Sequence, residues 1–384
     1  MKVIMKVSAV FMFLLVLSAH AQIGDNLSVH GFGGWAAGET SNENIFNFAT
    51  KDGEYNNYYF SLNLTSQPVE RLSINSQIYW GQNRHEQSLN LDYIFAQYSY
   101  SPELNFRLGK VKSPFGLYAE IYDVGTLRPF YFLPAGMYQS IYPKSYVGLG
   151  ITGEYTVTDD WTLAYDLIAG EMALNSFYIE IPSKFDYSAG FPVPVEFEKT
   201  QMTPVGREVV GTKLSLSPPV AGLNVGFSYI NFKFDMRRGN GPREGSEINE
   251  RHYLVSGFFD YTKDVISLKS EIYQLGTEME TAGGYVQAAY TLLRHWQVAV
   301  SHDWYEISTA STVERTLAKS TLKHKSTGFG VNYWFNPNLV IKANYYMIDG
   351  NAFSQPTSVA LQLMNGENIK EKTDAFIIGT QFSF

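Results

Sequence analysis

The chain contains no cysteine. That one absence excludes disulfides, zinc–thiolate centres, thiol nucleophiles and a lipid-modified cysteine anchor. Beyond residue 21 there is also no run of the roughly 20 apolar residues that a helix needs to cross a bilayer. Positive charge is scarce, with 29 basic residues against 37 acidic ones and a net charge of −8. Nucleic acid is therefore excluded as a partner, because phosphate backbones demand the opposite balance. No Gly-x-Ser-x-Gly elbow occurs, and the seven histidines show no metal-binding spacing. His302 and Asp303 are adjacent, so on a strand they point to opposite faces and cannot act as a local catalytic pair; Glu250 and His252 offer no better one. Gly31-Phe32-Gly33-Gly34 lacks the strand-to-helix setting of a phosphate loop. The sequence predicts neither an enzyme nor a cofactor.

What is present starts with an export signal. Lys2 and Lys6 precede an apolar stretch from Val7 to Leu17, and Ala19-His20-Ala21 supplies a small-x-small cleavage site. Residues 1–21 are expected to be removed, leaving Gln22 first and lowering the net charge to −10 with the loss of those two lysines. An exported chain without cysteine suits a bacterial envelope. Residues 22–384 contain no linker or composition shift, so one domain is expected.

That domain reads as β throughout. Tyr and Phe number 27 and 26, and Gly 32, a bias toward strands and turns. Period-two alternation recurs along the whole chain and yields sixteen candidate strands. Tyr58, Phe60, Leu62 and Leu64 share one face, backed by Tyr59, Ser61, Asn63 and Thr65. Val210, Thr212, Leu214 and Leu216 repeat the pattern, as do Phe329, Val331, Tyr333 and Phe335, and finally Phe376, Ile378, Thr380, Phe382 and Phe384. The fourth strand, Leu89 to Tyr100, alternates less cleanly. Glu171 to Gly206 reads as a long connection interrupted by Pro182, Pro192, Pro194 and Pro204, and Asp235 to Glu250 as a charged loop.

Strands of about 10 residues match the length needed to cross a hydrocarbon layer at a tilt. Short turns alternate with longer loops, and aromatics such as Trp80, Tyr100, Trp161, Trp304 and Trp334 gather near strand ends. Backbone groups in lipid have no water to bond, so such a sheet must close. The expected fold is all-β, a transmembrane antiparallel β-barrel of sixteen strands, wide enough for an aqueous lumen. Between Leu104–Gly109 and Val147–Val157 lies a stretch without helical or strand period, about residues 112–146. It carries Pro114, Pro129, Pro134 and Pro143, and a structureless connection of that length is usually functional. We expect it to fold into the pore and narrow it.

The run Arg107-Leu108-Gly109-Lys110-Val111-Lys112-Ser113-Pro114-Phe115-Gly116-Leu117-Tyr118 resembles the entry to the constriction loop of sixteen-stranded Gram-negative outer-membrane porins, the branch related to phosphate-selective channels. The terminal run ending in Phe382 and Phe384 is similar to the aromatic signal that the barrel-assembly machinery reads in that superfamily. The resemblance implies a homotrimer in outer-membrane lipid, an inward-folded third external loop, and passive diffusion of small hydrophilic solutes. The dense arginine ladder of strict phosphate channels is missing. Alternatives of function are a channel selective for an anion or small organic acid, or a plugged barrel acting as adhesin or receptor.

If the apolar faces meet lipid, the opposite parity faces the lumen. That places Arg71, Arg107, Arg207, Lys213, Lys269 and Lys342 on the inner wall, with Glu154, Asp166 and Glu271. Glu120 and Asp123 on the loop then oppose basic wall residues across the narrowest section, where opposed charges bias which ions pass. Arg128, beside Pro129, either anchors the loop or touches solute. The pore constriction is thus assigned to Arg71, Arg107, Glu120, Asp123, Arg128, Lys213 and Lys342.

Overall fold

The computed structural model describes residues 26–83, 86–139, 143–158, 160–173, 177–186, 193–238, 251–276, 280–308, 322–354 and 370–384. The proposed signal and Glu250 lie outside them. The strands are β1 (Leu27–Thr40), β2 (Glu54–Val69), β3 (Leu72–Asn83), β4 (Glu86–Ser101), β5 (Leu104–Lys112), β6 (Ser145–Thr158), β7 (Trp161–Ala173), β8 (Phe177–Asp186) and β9 (Val193–Ser217). They continue as β10 (Leu223–Arg238), β11 (Arg251–Lys263), β12 (Ile266–Gly276), β13 (Glu280–Leu292), β14 (Trp296–Ser308), β15 (Lys323–Asn336), β16 (Leu339–Asp349) and β17 (Lys372–Ser383).

Sixteen of these form one closed antiparallel ring. Neighbours in sequence are neighbours in space, and β17 returns to β1 with Trp35 opposite Thr380. β8 stands outside the ring. β7 pairs directly with the later part of β9, Thr162 opposite Ser217 through Ala173 opposite Val205. β8 pairs with the earlier part, Phe177 opposite Met202 through Asp186 opposite Val193. The stretch read from sequence as a connection is therefore largely a hairpin that prolongs the barrel wall. Its prolines concealed it. Pro182 is on an edge strand and Pro194 at a strand start, positions where a missing N–H breaks no essential ladder bond.

The wall is inside-out relative to a soluble protein. On β17 the exposed and buried residues alternate strictly: Phe376 and Ile378 are 47% and 41% exposed on the outer face, while Gln381 on the inner face is fully buried. Ile266, Leu268 and Ile272 (β12), Val298 and Val300 (β14) and Phe329 and Val331 (β15) extend the exposed apolar belt round the ring. Inward positions carry Ser256, Gln287, Ser301, Asn332 and Asn344, all buried. Polar inside and apolar outside is the arrangement expected of a wall with oil around it.

The irregular fourth strand has a local cause. Gln77 pairs with Tyr93 but Ile78 pairs with Leu91, so Asp92 is an extra residue in β4. Such a β-bulge resets parity and lets an added side chain point where the ladder would forbid it. Leu89, Leu91 and Ile94 all remain exposed on the outer wall, and Asp92 is delivered inward to Lys112.

Candidate functional site

The segment joining β5 to β6 lies inside the ring. Among its described residues it has a 3-10 turn at Gly125–Leu127 and one helical turn at Ala135–Tyr138. Its large apolar side chains Phe115, Tyr118, Phe130, Tyr131, Met137 and Tyr138 are almost wholly buried. They pack on inward residues such as Ile230, Tyr285, Tyr346 and Ile377. A backbone without regular structure must find partners for its N–H and C=O groups, and the polar inner wall supplies them.

The first attachment is at Gly116. Its carbonyl accepts a hydrogen bond from Lys213 Nζ at 2.8 Å, and its N–H donates to Ser228 Oγ at 3.3 Å. Glu271 is the hub here: Leu117 N–H (2.6 Å), the Tyr285 hydroxyl (2.8 Å) and the Tyr138 hydroxyl all donate to its carboxylate. Gly116 has φ +80°, and a Cβ there would meet Glu271 Oε1 at 2.5 Å. Glycine is required on both counts.

A second attachment holds residues 125–131 against β15, β16 and β17. Lys342 Nζ donates to the carbonyls of Gly125 (2.7 Å), Arg128 (2.5 Å) and Phe130 (3.3 Å) and to Gln381 Oε1 (2.7 Å). Asn344 Oδ1 accepts from Tyr131 N–H at 2.8 Å, and Asn332 donates to Pro129 O at 2.7 Å. The third attachment is to β14, half way round the ring from β5. Asp303 Oδ1 accepts from Gly136 N–H at 3.0 Å and lies 2.9 Å from His324 Nε2. A Cβ at Gly136 would sit 2.2 Å from Trp304 O, so only glycine allows this approach. His302 faces away from this cluster, on the outer wall against Thr327.

The fourth attachment returns to the segment's own side. Lys112 Nζ lies 2.5 Å from Asp92 and 2.6 Å from Asp123. Gln77 Nε2 donates to both carboxylates, at 2.8 and 3.0 Å. Burial works against a charged Asp123, yet the ammonium of Lys112 and its hydrogen bond outweigh it and hold the carboxyl below its ordinary range.

Several expected pore residues meet here and others do not. Arg107 faces inward and lies 3.5 Å from Glu120 on the segment and 3.7 Å from Asp166 on β7, with its Nε donating to Gln97 Oε1 at 2.8 Å. Lys269 also faces inward, 2.5 Å from Asp260, and Arg207 lies 3.8 Å from Asp235. Arg71 is placed differently. It occupies the β2–β3 turn with φ 67°, exposed and 3.9 Å from Glu70, because the strand starts one residue later than its alternation suggested. Lys342 is inward but fully buried beneath the segment, so it is a tether rather than a charge facing the lumen. Lys213 and Asp123 are likewise committed to attachments. Arg128 donates from Nη1 to Tyr122 O within the segment at 2.8 Å. Sequence reasoning missed Asp92, Lys112, Gln77 and Asp303; for Asp92 the broken alternation of β4 was the available signal.

Between the segment and the β2–β5 wall a cavity of about 640 Å³ remains. It is bordered by Tyr59, Tyr79, Asn90, Tyr122, Arg128 and Lys144, among others.

A closed antiparallel ring of sixteen strands, apolar outside and polar within, is the fold of the outer-membrane β-barrels. No protein-family model matches the sequence, and no curated protein matches it. Solved structures do. The chain is similar to OmpF of Salmonella typhi in complex with daunomycin (TM-score 0.56, 13% identity, 94% of this chain and 98% of that one). It is similar also to an anion-selective porin from Comamonas acidovorans (0.55, 9%, 93% and 99%) and to the outer-membrane channel DcaP of Acinetobacter baumannii (0.53, 9%, 95% and 99%). The likeness is one of fold and singles out no phosphate-selective branch.

Proposed function

We propose that the protein is a porin: a passive diffusion channel for small hydrophilic solutes and ions in the outer membrane of a Gram-negative bacterium, without catalytic activity or cofactor. The observation that carries this is the inward segment. It is tied to the wall at four places by charged and amide side chains, yet leaves water-accessible space beside β2–β5. A plug would fill that space, whereas a constriction leaves it open and lined with polar groups. Residues 22–384 act as one barrel domain, residues 1–21 direct export, and about residues 112–146 are the constriction in this reading. The structures of similar fold support an outer-membrane setting, and the homotrimer is proposed from the family resemblance of the Arg107–Tyr118 run.

Phe384 fits a role in assembly. Its backbone exchanges hydrogen bonds with Gly31 at 2.8 and 3.0 Å, and its ring stacks on Phe60 at 6.2 Å, so Phe384 extends the seam between β17 and β1. Phe382, opposite Gly33, lies on the same seam. Arg107, facing Glu120 and Asp166, is the constriction charge whose loss should most alter ion preference.

Reconstitution into planar bilayers tests the proposal. Stepwise ion currents, together with swelling of protein-loaded liposomes in small sugars, are the expected result. An electrically silent barrel would instead favour a plugged adhesin or receptor.

A further inference from the structure

The cavity beside β2–β5 has a composition that the channel reading does not by itself require, and the inference below rests on that reading. We propose that it is a binding subsite for a hydroxylated carboxylate, a sugar acid, which the channel passes.

Size comes first. About 640 Å³ is within the roughly 300–1,000 Å³ of small-molecule sites and far exceeds what a bare phosphate or chloride would occupy. The walls come next. Tyr59 and Tyr79 stack at 6.2 Å with planes only 13° apart, and both border the cavity. Tyr122 and Tyr131 add further rings, interleaved with Asn57, Asn90 and Ser88. A pyranose has apolar C–H faces and a polar rim of hydroxyls, so rings alternating with amides and hydroxyls match it on both counts. An apolar acid would leave the amides unpaired, at a cost.

Charge then selects among sugars. Both carboxylates bordering the cavity, Asp92 and Asp123, are already occupied by Lys112 and Gln77. Lys110 donates to Leu91 O at 2.7 Å. Arg128 and Lys144 differ: among the described residues, no carboxylate lies within 4.0 Å of either. Both flank Tyr122. Lys144 Nζ sits 5.0 Å over its ring, and Arg128 Nη1 donates to its carbonyl at 2.8 Å. Arg128 Nε is buried without a hydrogen-bond partner. Both side chains line the cavity, and a guanidinium beside an ammonium and an aromatic wall is the pair of cations that an incoming carboxylate would join.

Glucuronate is the probe, with glucose, acetate and benzoate as comparisons. Two readouts are used on the full chain: block of single-channel current in planar bilayers, and calorimetry on detergent-solubilised protein. Glucuronate should block saturably and bind more tightly than glucose or acetate, and Arg128→Gln with Lys144→Gln should weaken it about tenfold or more, the loss expected for charged hydrogen bonds. Should the double variant not fold, Lys144→Gln alone, at an exposed position, carries the same sign. The proposal is overturned if glucuronate binds no better than acetate, if benzoate competes equally, or if the variants leave its affinity unchanged. A conducting channel without glucuronate block removes the subsite and keeps the channel. A silent barrel removes the channel, and calorimetry then decides the subsite alone.

Discussion

At the scale of single residues, charge in this lumen serves attachment as much as selection. Glu271 shows it most clearly, since one buried carboxylate receives a backbone N–H and two tyrosine hydroxyls. Each hydrogen bond to a charged group is worth about 1.5–3 kcal/mol, and an orphaned buried donor costs a comparable amount. Glu271→Ala should therefore loosen the inward segment by several kcal/mol while the closed ladder of the wall survives. Single-channel recordings should show a broadened conductance distribution; a narrow, unaltered one would count against the anchor role. Asp123 gives a pH dependence of definite sign. Its folded pKa is depressed, with Lys112 the dominant favourable cause against burial. Its contribution is thus present above the unfolded value of about 3.9 and is lost as pH falls through the folded one. The difference in current noise between the parent and Asp123→Asn should stay constant from neutrality down to about pH 5 and close only below about pH 3.9. A difference already closing between neutrality and that upper limit would contradict it.

At the scale of elements, the bulge in β4 is the most informative departure from regularity. It costs one ladder position and gains an inward carboxylate for Lys112. Because Leu91 and Tyr93 already face opposite sides, deleting Asp92 would restore unbroken alternation. The parent and the deletion variant should both run as heat-modifiable barrels on gels, the variant losing about 1–3 kcal/mol of segment docking. A variant that fails to form the barrel would show instead that the bulge is needed for closure. The inward segment itself is an element held by others. Its short helical turn, Ala135–Tyr138, is too brief to be stable alone, and it persists because β14 and neighbouring strands fix both its backbone and its rings.

At the scale of the whole molecule, stability follows from solvent on two sides of one wall. Ile378 on the outer face and Glu154, exposed on the inner face of β6, report on oil and water respectively. Ile378→Arg should cost about 2–4 kcal/mol if it lies near the bilayer midplane. Glu154→Arg should leave folding almost unchanged. Urea titration of barrels refolded in lipid compares the two, and equal costs would refute a lipid-facing outer wall. Closure of the ring explains why the apolar belt can be continuous without exposing a sheet edge to other chains.

The alternation of residues determined much of this. It predicted a strand-built barrel of sixteen members, the apolar outer face and the inward parity of Arg107, because a pleated strand displays its solvent preferences directly in its residue order. It also marked the stretch at about residues 112–146 as aperiodic. Tertiary structure decided the rest. Where an aperiodic segment lies depends on donors and acceptors far away in the chain, so Lys342 became a tether, Asp303 and Glu271 became anchors, and Arg71 was left in a turn. No local pattern encodes a partner more than two hundred residues distant, such as Asn344 for Tyr131. Strand character is a property of neighbours; the shape of the lumen is a property of the closed ring.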